Sequence, residues 1–155
     1  MQAPFHWLRI ETFVYATENE ELLAETFASL ACTEEYRTDV SESEHGNTMR
    51  ILQHICTHTK EQNAVMLRLG REIAQQIVDD AESMVDDDCI MYLRLDKQKA
   101  VLGEMEIAHH GDVFAITGKI ASNPARHHIA VANIRDLLTS LYPDLRAPAT
   151  PGSEE

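Results

Sequence analysis

The stretch Met91–Gly111, MYLRLDKQKAVLGEMEIAHHG, organises the rest of the chain. Its apolar alternation up to Leu95 predicts a strand, Asp96–Lys99 form a polar break, and the remainder leads into a second strand at Asp112. The stretch also holds three of the 13 basic residues of the chain, which are Arg94, Lys97 and Lys99. We therefore expect the polar break to be displayed at a strand end, where it could contact a partner.

The charge distribution singles out the same region. The 155-residue chain has 13 Lys and Arg residues against 26 Asp and Glu residues, a formal net charge of −13. Residues 91–126, however, carry five basic and four acidic side chains. Because nucleic acid is bound through Lys and Arg contacts to phosphate, bulk attraction to duplex DNA is disfavoured, while a local contact within residues 91–126 is not. The acidity also has a simpler interpretation, namely that it keeps the protein soluble.

Hydrophobic periodicity predicts five strands and three helices. Alternation places the strands near residues 6–16, 36–41, 49–58, 89–95 and 112–121. Two capping boxes, Thr17 with Glu20 and Thr59 with Gln62, and an Asn123-Pro124 cap predict helices that end near residues 30, 85 and 141. The order β-α-β-β-α-β-β-α predicts an α+β fold, a two-layer sandwich with a mostly antiparallel sheet and three helices on one face.

The domain organisation is simple. We expect a single domain over residues 5–142 and a disordered tail over residues 143–155, which are rich in Pro and small side chains. The sequence has neither the pattern of a signal peptide nor that of a membrane span, so we expect no membrane partner. It leaves the oligomeric state open.

Metal and cofactor sites are not expected. Cys32, Cys56 and Cys89 show no CxxC spacing, which favours a reducing compartment over a structural zinc site. His54 and His58 are four residues apart but lie in a predicted strand, where that spacing does not converge on one ion. We therefore expect no metal and no cofactor.

The predicted sheet leaves one face without helices. If Leu8, Ile10 and Val14 face the helices, then Trp7, Arg9, Phe13 and Tyr15 line the open face. An open sheet bearing aromatic and Arg side chains is how several RNA-binding folds stack single-stranded bases. The same composition is typical of a protein–protein interface, so both interpretations stay open.

Three stretches carry a family resemblance. They are HWLRIETFVYATENEE at the start, the HGN turn at His45–Asn47, and LRLDKQKAVLGE followed by GDVFAITGKIASNP. Together they resemble an archaeal RNA-binding family described as a predicted exosome subunit, over most of residues 5–142. The family is similar in fold to the ribosomal protein that binds 5S RNA, a two-layer domain with an antiparallel sheet. The resemblance implies a non-catalytic RNA-binding protein of an archaeal cytoplasm, tied to RNA processing and with exosome or other processing subunits as further partners.

Three functions follow as hypotheses. The first is an RNA-binding accessory factor that contacts phosphates through one set of basic residues: Arg94, Lys97, Lys99, Lys119 and Arg126. Arg9 and Tyr15 would supply stacking in the same site. The second is a protein-interaction or dimerisation module that uses the open face and has no RNA affinity. The third is a metal-dependent nuclease built on Glu104 and Glu106 or on Asp86–Asp88, but no catalytic motif supports it, and we expect no enzyme and no catalytic residue.

Overall fold

The computed structural model describes residues 3–42 and 46–148. Its centre is a five-stranded sheet in the order β2-β3-β1-β5-β4, in which each neighbouring pair is antiparallel. The strands are β1 Phe5–Tyr15, β2 Arg37–Glu42, β3 Thr48–Cys56, β4 Ile90–Asp96 and β5 Val113–Ile120. The predicted strands and antiparallel sheet are confirmed.

Helices cover one face of this sheet. They are α1 Glu20–Ala31, α2 Thr59–Arg68, α3 Arg71–Met84, α4 Lys97–Val101 and α5 His127–Leu141. The predicted α+β class is confirmed, but the described residues form five helices and not three. None of the helices in residues 3–42 and 46–148 is long and apolar enough to cross a membrane.

Strand β1 is the middle strand of the sheet, and its residues alternate between buried and more exposed positions. Leu8 and Ile10 are fully buried and Val14 is 3% exposed. Their side chains lie under the helices together with that of Thr12, and the odd-numbered residues between them point to the other face. Since β3 and β5 pair with β1 in register, their inward residues join the same core, and this single apolar layer fixes which face of every strand is buried.

The long helix predicted over residues 61–85 is broken at Gly70. This residue has φ 92° and ψ 163°, a backbone conformation that residues other than glycine rarely adopt. The Tyr142 hydroxyl group closes the gap, because it accepts the Gly70 N–H at 3.2 Å and lies 2.7 Å from the Met66 carbonyl oxygen, to which it donates. The predicted inward stripe survives the break, since Met66 and Ile73 on either side of it are fully buried.

The predicted helix caps are wrong in position. Asn19, and not Thr17, caps α1, with its side chain accepting the Leu22 N–H at 3.1 Å. At α2 it is Glu61 that bonds to the backbone N–H groups of Thr57 and His58, one residue earlier than predicted. Gln62 is instead buried, and its side-chain amide group forms hydrogen bonds with backbone groups of β1 and β3. Its oxygen accepts from the Phe5 N–H at 3.1 Å and its nitrogen donates to the Phe5 and Cys56 carbonyl groups.

The last helix also starts later than predicted. The Asn123-Pro124 peptide bond is cis, and α5 begins at His127 with Arg126 at its cap position. The cause is local, since the turn after β5 uses Pro124 as a bend and the Arg126 N–H bonds back to the Pro124 carbonyl oxygen at 2.9 Å.

The polar break after β4 is the short helix α4. The Asp96 carboxylate accepts the Lys99 N–H at 2.9 Å and so starts the turn. The chain then returns along the outer edge of β4. There the backbone N–H of Asp96 donates to the Glu106 carbonyl oxygen at 2.8 Å, and the backbone N–H of Ala108 donates to the Arg94 carbonyl oxygen at 2.9 Å. Part of the edge of β4 is thus covered by its own loop.

Two residues of the tail predicted to be disordered contact α3. Arg71 pairs with Asp144 at 2.7 Å, and the Arg146 N–H donates to Gln75 Oε1 at 2.9 Å. Residues 149–155 are outside the described part. His45 of the predicted turn is outside it too, while Gly46 next to it has φ 80° between β2 and β3.

Candidate nucleic-acid interface

The open face of the sheet is formed by lateral rows of side chains. One row runs Ile55, Arg9, Thr117, Tyr92 across β3, β1, β5 and β4. A second runs Gln53, Glu11, Ala115, Arg94, and a third begins with Trp7 beside Lys119. Neighbouring members of a row are about 5 Å apart, so aromatic, aliphatic and basic side chains form one continuous surface.

Aromatic rings are distributed over this surface. Phe13 is 39% exposed, Tyr15 36% and Tyr92 46%. The Arg9 guanidinium group lies over the Trp7 ring, with its carbon 5.6 Å from the ring centroid. This distance is within the range of a cation–π contact, so the pair places a positive charge beside an aromatic ring. The predicted lining of the open face by Trp7, Arg9, Phe13 and Tyr15 is confirmed.

Three cations lie on or beside the rows without a close acidic partner among the described residues. Among the described residues, no ion pair involves Arg9, Arg94 or Lys119. The one acid in the middle of the face, Glu11, accepts a hydrogen bond from Gln53 Nε2 at 2.8 Å. The positive charges therefore remain available to an anionic partner.

The acidic loop Asp86–Asp88 borders the face at β4. Asp86 Oδ2 accepts a hydrogen bond from the Tyr92 hydroxyl group at 3.1 Å, and Asp86 Oδ1 accepts hydrogen bonds from the N–H groups of Ile90 and Asp88. The hydrogen bond to Asp86 raises the pKa of the Tyr92 phenol. The Ile90 N–H is the largest cause of a lowered pKa at Asp86, and the positive charge of Lys119 adds to it. This loop follows α3 as predicted, and it marks one limit of the positive surface.

The expected exposure of Lys97 is wrong. Its side chain is 1% exposed, and its ammonium group donates to the Phe13 carbonyl oxygen at 2.6 Å and to Glu18 Oε1 at 3.2 Å. The reason is the turn started by Asp96, because the first residue of α4 is directed back under the end of β1. Lys97 Nζ also lies 5.1 Å from the centroid of the Tyr15 ring. Lys97 therefore packs behind the open face and is not accessible to a phosphate group.

The remaining basic candidates lie at opposite ends of the sheet. Lys99 is exposed on α4 and 3.8 Å from Glu104. Arg126 is exposed beyond the far end of β5, the end at which Lys119 pairs with Trp7. The structure thus brings together Arg9, Arg94 and Lys119 with the aromatic rings, and it does not bring Lys99 or Arg126 onto the face.

The part of the face that belongs to β3 could not be predicted from the sequence. Ile55 is 48% exposed beside Arg9, and Gln53 holds Glu11. Strand β3 alternates, but both of its faces mix apolar and polar residues, so periodicity alone could not decide which side is open. The pairing of β3 with β1 was the missing information.

Comparison with known proteins identifies relatives over most of the chain. A family model described as RNA binding matches residues 7–120. An RNA-binding protein of Pyrococcus abyssi is 29% identical over 143 residues, which cover 86% of this chain and 93% of the relative. The matched range contains every residue that forms the face.

Solved structures agree with the fold. A DUF54 protein of Methanothermobacter thermautotrophicus superposes with a TM-score of 0.72 at 28% identity, covering 86% of this chain and 98% of that protein. A DUF54 protein of Sulfolobus solfataricus gives a TM-score of 0.64 at 19% identity, with 87% and 96% covered, and shows the shared fold alone.

Proposed function

The chain belongs to the RNA-binding family whose model matches residues 7–120, and we propose that it binds single-stranded RNA on the open face of its sheet. The observation that carries the proposal is the aromatic surface across β1, β5 and β4 with three cations, Arg9, Arg94 and Lys119, that form no ion pair within the described part of the chain. Family membership supports RNA as the ligand class, and the geometry supports the face as the place of contact.

The chemistry of the face favours unpaired bases. Bases in a duplex are stacked on each other, whereas those of a single strand can stack on aromatic rings at about 1–3 kcal/mol per base. Trp7, Phe13, Tyr15 and Tyr92 offer such rings, while the cations contact the backbone phosphates. The net charge of −13 repels RNA elsewhere, which confines binding to this face.

We propose further that the protein acts without catalysis, as an accessory factor of RNA processing in an archaeal cytoplasm, with the exosome as the expected assembly. Two of the acids that a nuclease would need are engaged in other contacts, which supports this view. Asp86 accepts three hydrogen bonds, from Asp88, Ile90 and Tyr92, and Glu104 lies beside Lys99. Incubation with labelled RNA and Mg²⁺ or Mn²⁺ should give no cleavage, and turnover lost in Glu104→Ala would contradict this proposal.

The RNA proposal is tested by fluorescence anisotropy with labelled oligoribonucleotides. The variant Arg9→Ala/Arg94→Ala/Lys119→Ala should lose at least about tenfold in affinity, and the slope of log affinity against log salt should fall by about 2, since three phosphate contacts are removed. The matched control, Lys60→Ala/Arg68→Ala/Arg71→Ala, removes three charges from the helix layer and should bind as the wild type does. Equal losses in both variants would refute the assignment of the face.

One observation favours a second function for the same surface. Ile55 and Phe13 are 48% and 39% exposed, and apolar exposure of this kind is typical of protein interfaces. A protein-interaction or dimerisation module would then bury Trp7 and Phe13 in a second chain. Size-exclusion chromatography with light scattering distinguishes the two functions, because a monomer that binds RNA supports the first, and a stable dimer without RNA affinity supports the second.

A further inference from the structure

A cluster of three potential metal ligands lies on the covered side of the sheet. His54 and Cys56 are two residues apart on β3, so both point toward the helices. Glu61 lies in the first turn of α2 and reaches the same place. One ligand atom from each of the three side chains lies within 4.8 Å of the others. A nitrogen, a thiol and a carboxylate oxygen thus meet beside the core.

Backbone contacts orient the carboxylate. Glu61 Oε1 accepts the N–H groups of Thr57 at 2.8 Å and His58 at 3.1 Å, while Oε2 is 3.7 Å from His54 Nε2. One oxygen is therefore fixed by the protein and the other faces the histidine. Metal-binding carboxylates are commonly held by such outer hydrogen bonds.

The Cys56 thiol differs from the other two thiols. Cys89 Sγ is 3.5 Å from Ser122 Oγ, and Cys32 Sγ is 3.7 Å from the Ser29 carbonyl oxygen. Cys56 is fully buried, and no hydrogen bond of its Sγ is found within residues 3–42 and 46–148. Burial is the largest cause that raises its pKa to about 12, and the charge of Glu61 adds to it. The Glu61 carboxylate disfavours only the thiolate form of Cys56, and a cation between the two groups would stabilise both charges.

We propose that His54, Cys56 and Glu61 bind a Zn²⁺ ion, with solvent as the fourth ligand. Nitrogen, sulfur and carboxylate donors suit zinc, whereas Mg²⁺ and Ca²⁺ require oxygen alone. Binding converts the Cys56 thiol to a thiolate, and its proton passes to solvent. The side chains of His54 and Glu61 are 19% and 34% exposed, so the ion has an entry path.

The required movement is small. Tetrahedral zinc with bonds of about 2.0–2.3 Å separates its ligand atoms by about 3.4–3.7 Å. The longest separation between ligand atoms is at most 4.8 Å and must therefore shrink by about 1 Å, while Glu61 Oε2 and His54 Nε2 are already 3.7 Å apart. The bound ion would join β3 to the start of α2. Ile55 lies between the two strand ligands and projects to the open face, so the metal would also fix that edge of the face.

The proposal is tested on the full chain with Co²⁺ as the spectroscopic probe. Protein freed of metal by chelation should bind one equivalent of Co²⁺, show a sulfur-to-cobalt charge-transfer band and tetrahedral visible bands, and lose both when Zn²⁺ is added. Cys56→Ser should abolish the charge-transfer band, and His54→Gln should weaken binding at least about tenfold. The matched control Cys89→Ser, which removes another buried thiol, should retain the wild-type spectrum.

Several results would overturn the site. These are no charge-transfer band in the wild-type protein, a band that persists in Cys56→Ser, and a stoichiometry far below one that does not change between variants, which would indicate an adventitious ion only. If Cys56→Ser does not fold, His54→Gln decides, because its partly exposed side chain can be replaced without opening the core. Wild-type affinity in that variant would contradict the proposal.

Discussion

The two faces of the sheet are built from the same strands and have opposite characters. On β1, Leu8 and Ile10 are fully buried under the helices, whereas their neighbours Trp7 and Arg9 form a cation–π pair on the open side. The covered face is a continuous apolar layer that specifies the fold. The open face contributes little to that layer, so its aromatic and basic residues remain free for a ligand.

Arg94 and Lys97 show the same difference between exposed and buried positions for two single basic residues. They lie three residues apart in the stretch with the unusual basic content, yet Arg94 is exposed on the open face and Lys97 is 1% exposed. Strand alternation determines the first position and the Asp96 turn determines the second. A local excess of basic residues is therefore not equivalent to a basic surface.

The largest expected effect on stability comes from Lys97. Lys97→Met should lower the free energy of unfolding by about 3 kcal/mol, because removing one partner of a buried ion pair leaves Glu18 and the Phe13 carbonyl group unpaired. Lys99→Met removes an exposed charge from the same helix and should stay within about 0.5 kcal/mol. Urea unfolding followed by circular dichroism measures both, and equal stability of the two variants would show that Lys97 is not a structural residue.

The next largest effect on stability is a difference between substitutions on the covered and the open side of β5. A Cβ atom at Gly118 would lie 2.8 Å from Leu8 Cδ1 and from Phe5 Cδ1, so Gly118→Ala should cost about 1–3 kcal/mol through overpacking. Ala115→Ser enlarges a side chain on the open side of the same strand and should change stability by less than about 0.5 kcal/mol. Thermal unfolding compares them. If the serine variant is the less stable of the two, the assignment of covered and open faces in β5 fails.

A smaller effect on stability is expected from removing the Tyr142 hydroxyl group, with the Tyr15 hydroxyl group as the control. Tyr142→Phe removes the group that bridges Met66 and Gly70 at the break between α2 and α3, and should cost about 1 kcal/mol. The same change at Tyr15 on the open face should leave stability unaltered. Hydrogen exchange should locate the loosening in Tyr142→Phe at residues 66–71. Protection unchanged there would mean that the break is held by the glycine conformation alone.

Much of the fold could be predicted because it depends on alternation. Each predicted strand matches an observed one within a few residues, and the open face of β1 follows from Leu8, Ile10 and Val14. The helix errors have a different origin. The break at Gly70 and the Asn19 cap depend on backbone conformation and on Tyr142, which is 72 residues away from Gly70 in sequence. Apolar periodicity contains no information on such contacts.

The candidate site was predictable only in part, for the same reason. Arg9, Tyr15 and Arg94 could be placed from strand periodicity. Lys97 could not, because its burial results from Asp96 starting a helix where the sequence suggested an exposed break. The β3 part of the face, with Ile55, required the pairing register.

Intrinsic fluorescence tests the central claim most directly, because Trp7 is the only tryptophan of the chain and lies on the open face. Titration with an unlabelled single-stranded oligoribonucleotide should change the Trp7 emission to saturation, with the same midpoint as anisotropy measured on the labelled strand. Added salt should reverse both signals together. RNA binding seen by anisotropy while the Trp7 emission stays constant would contradict binding on the open face.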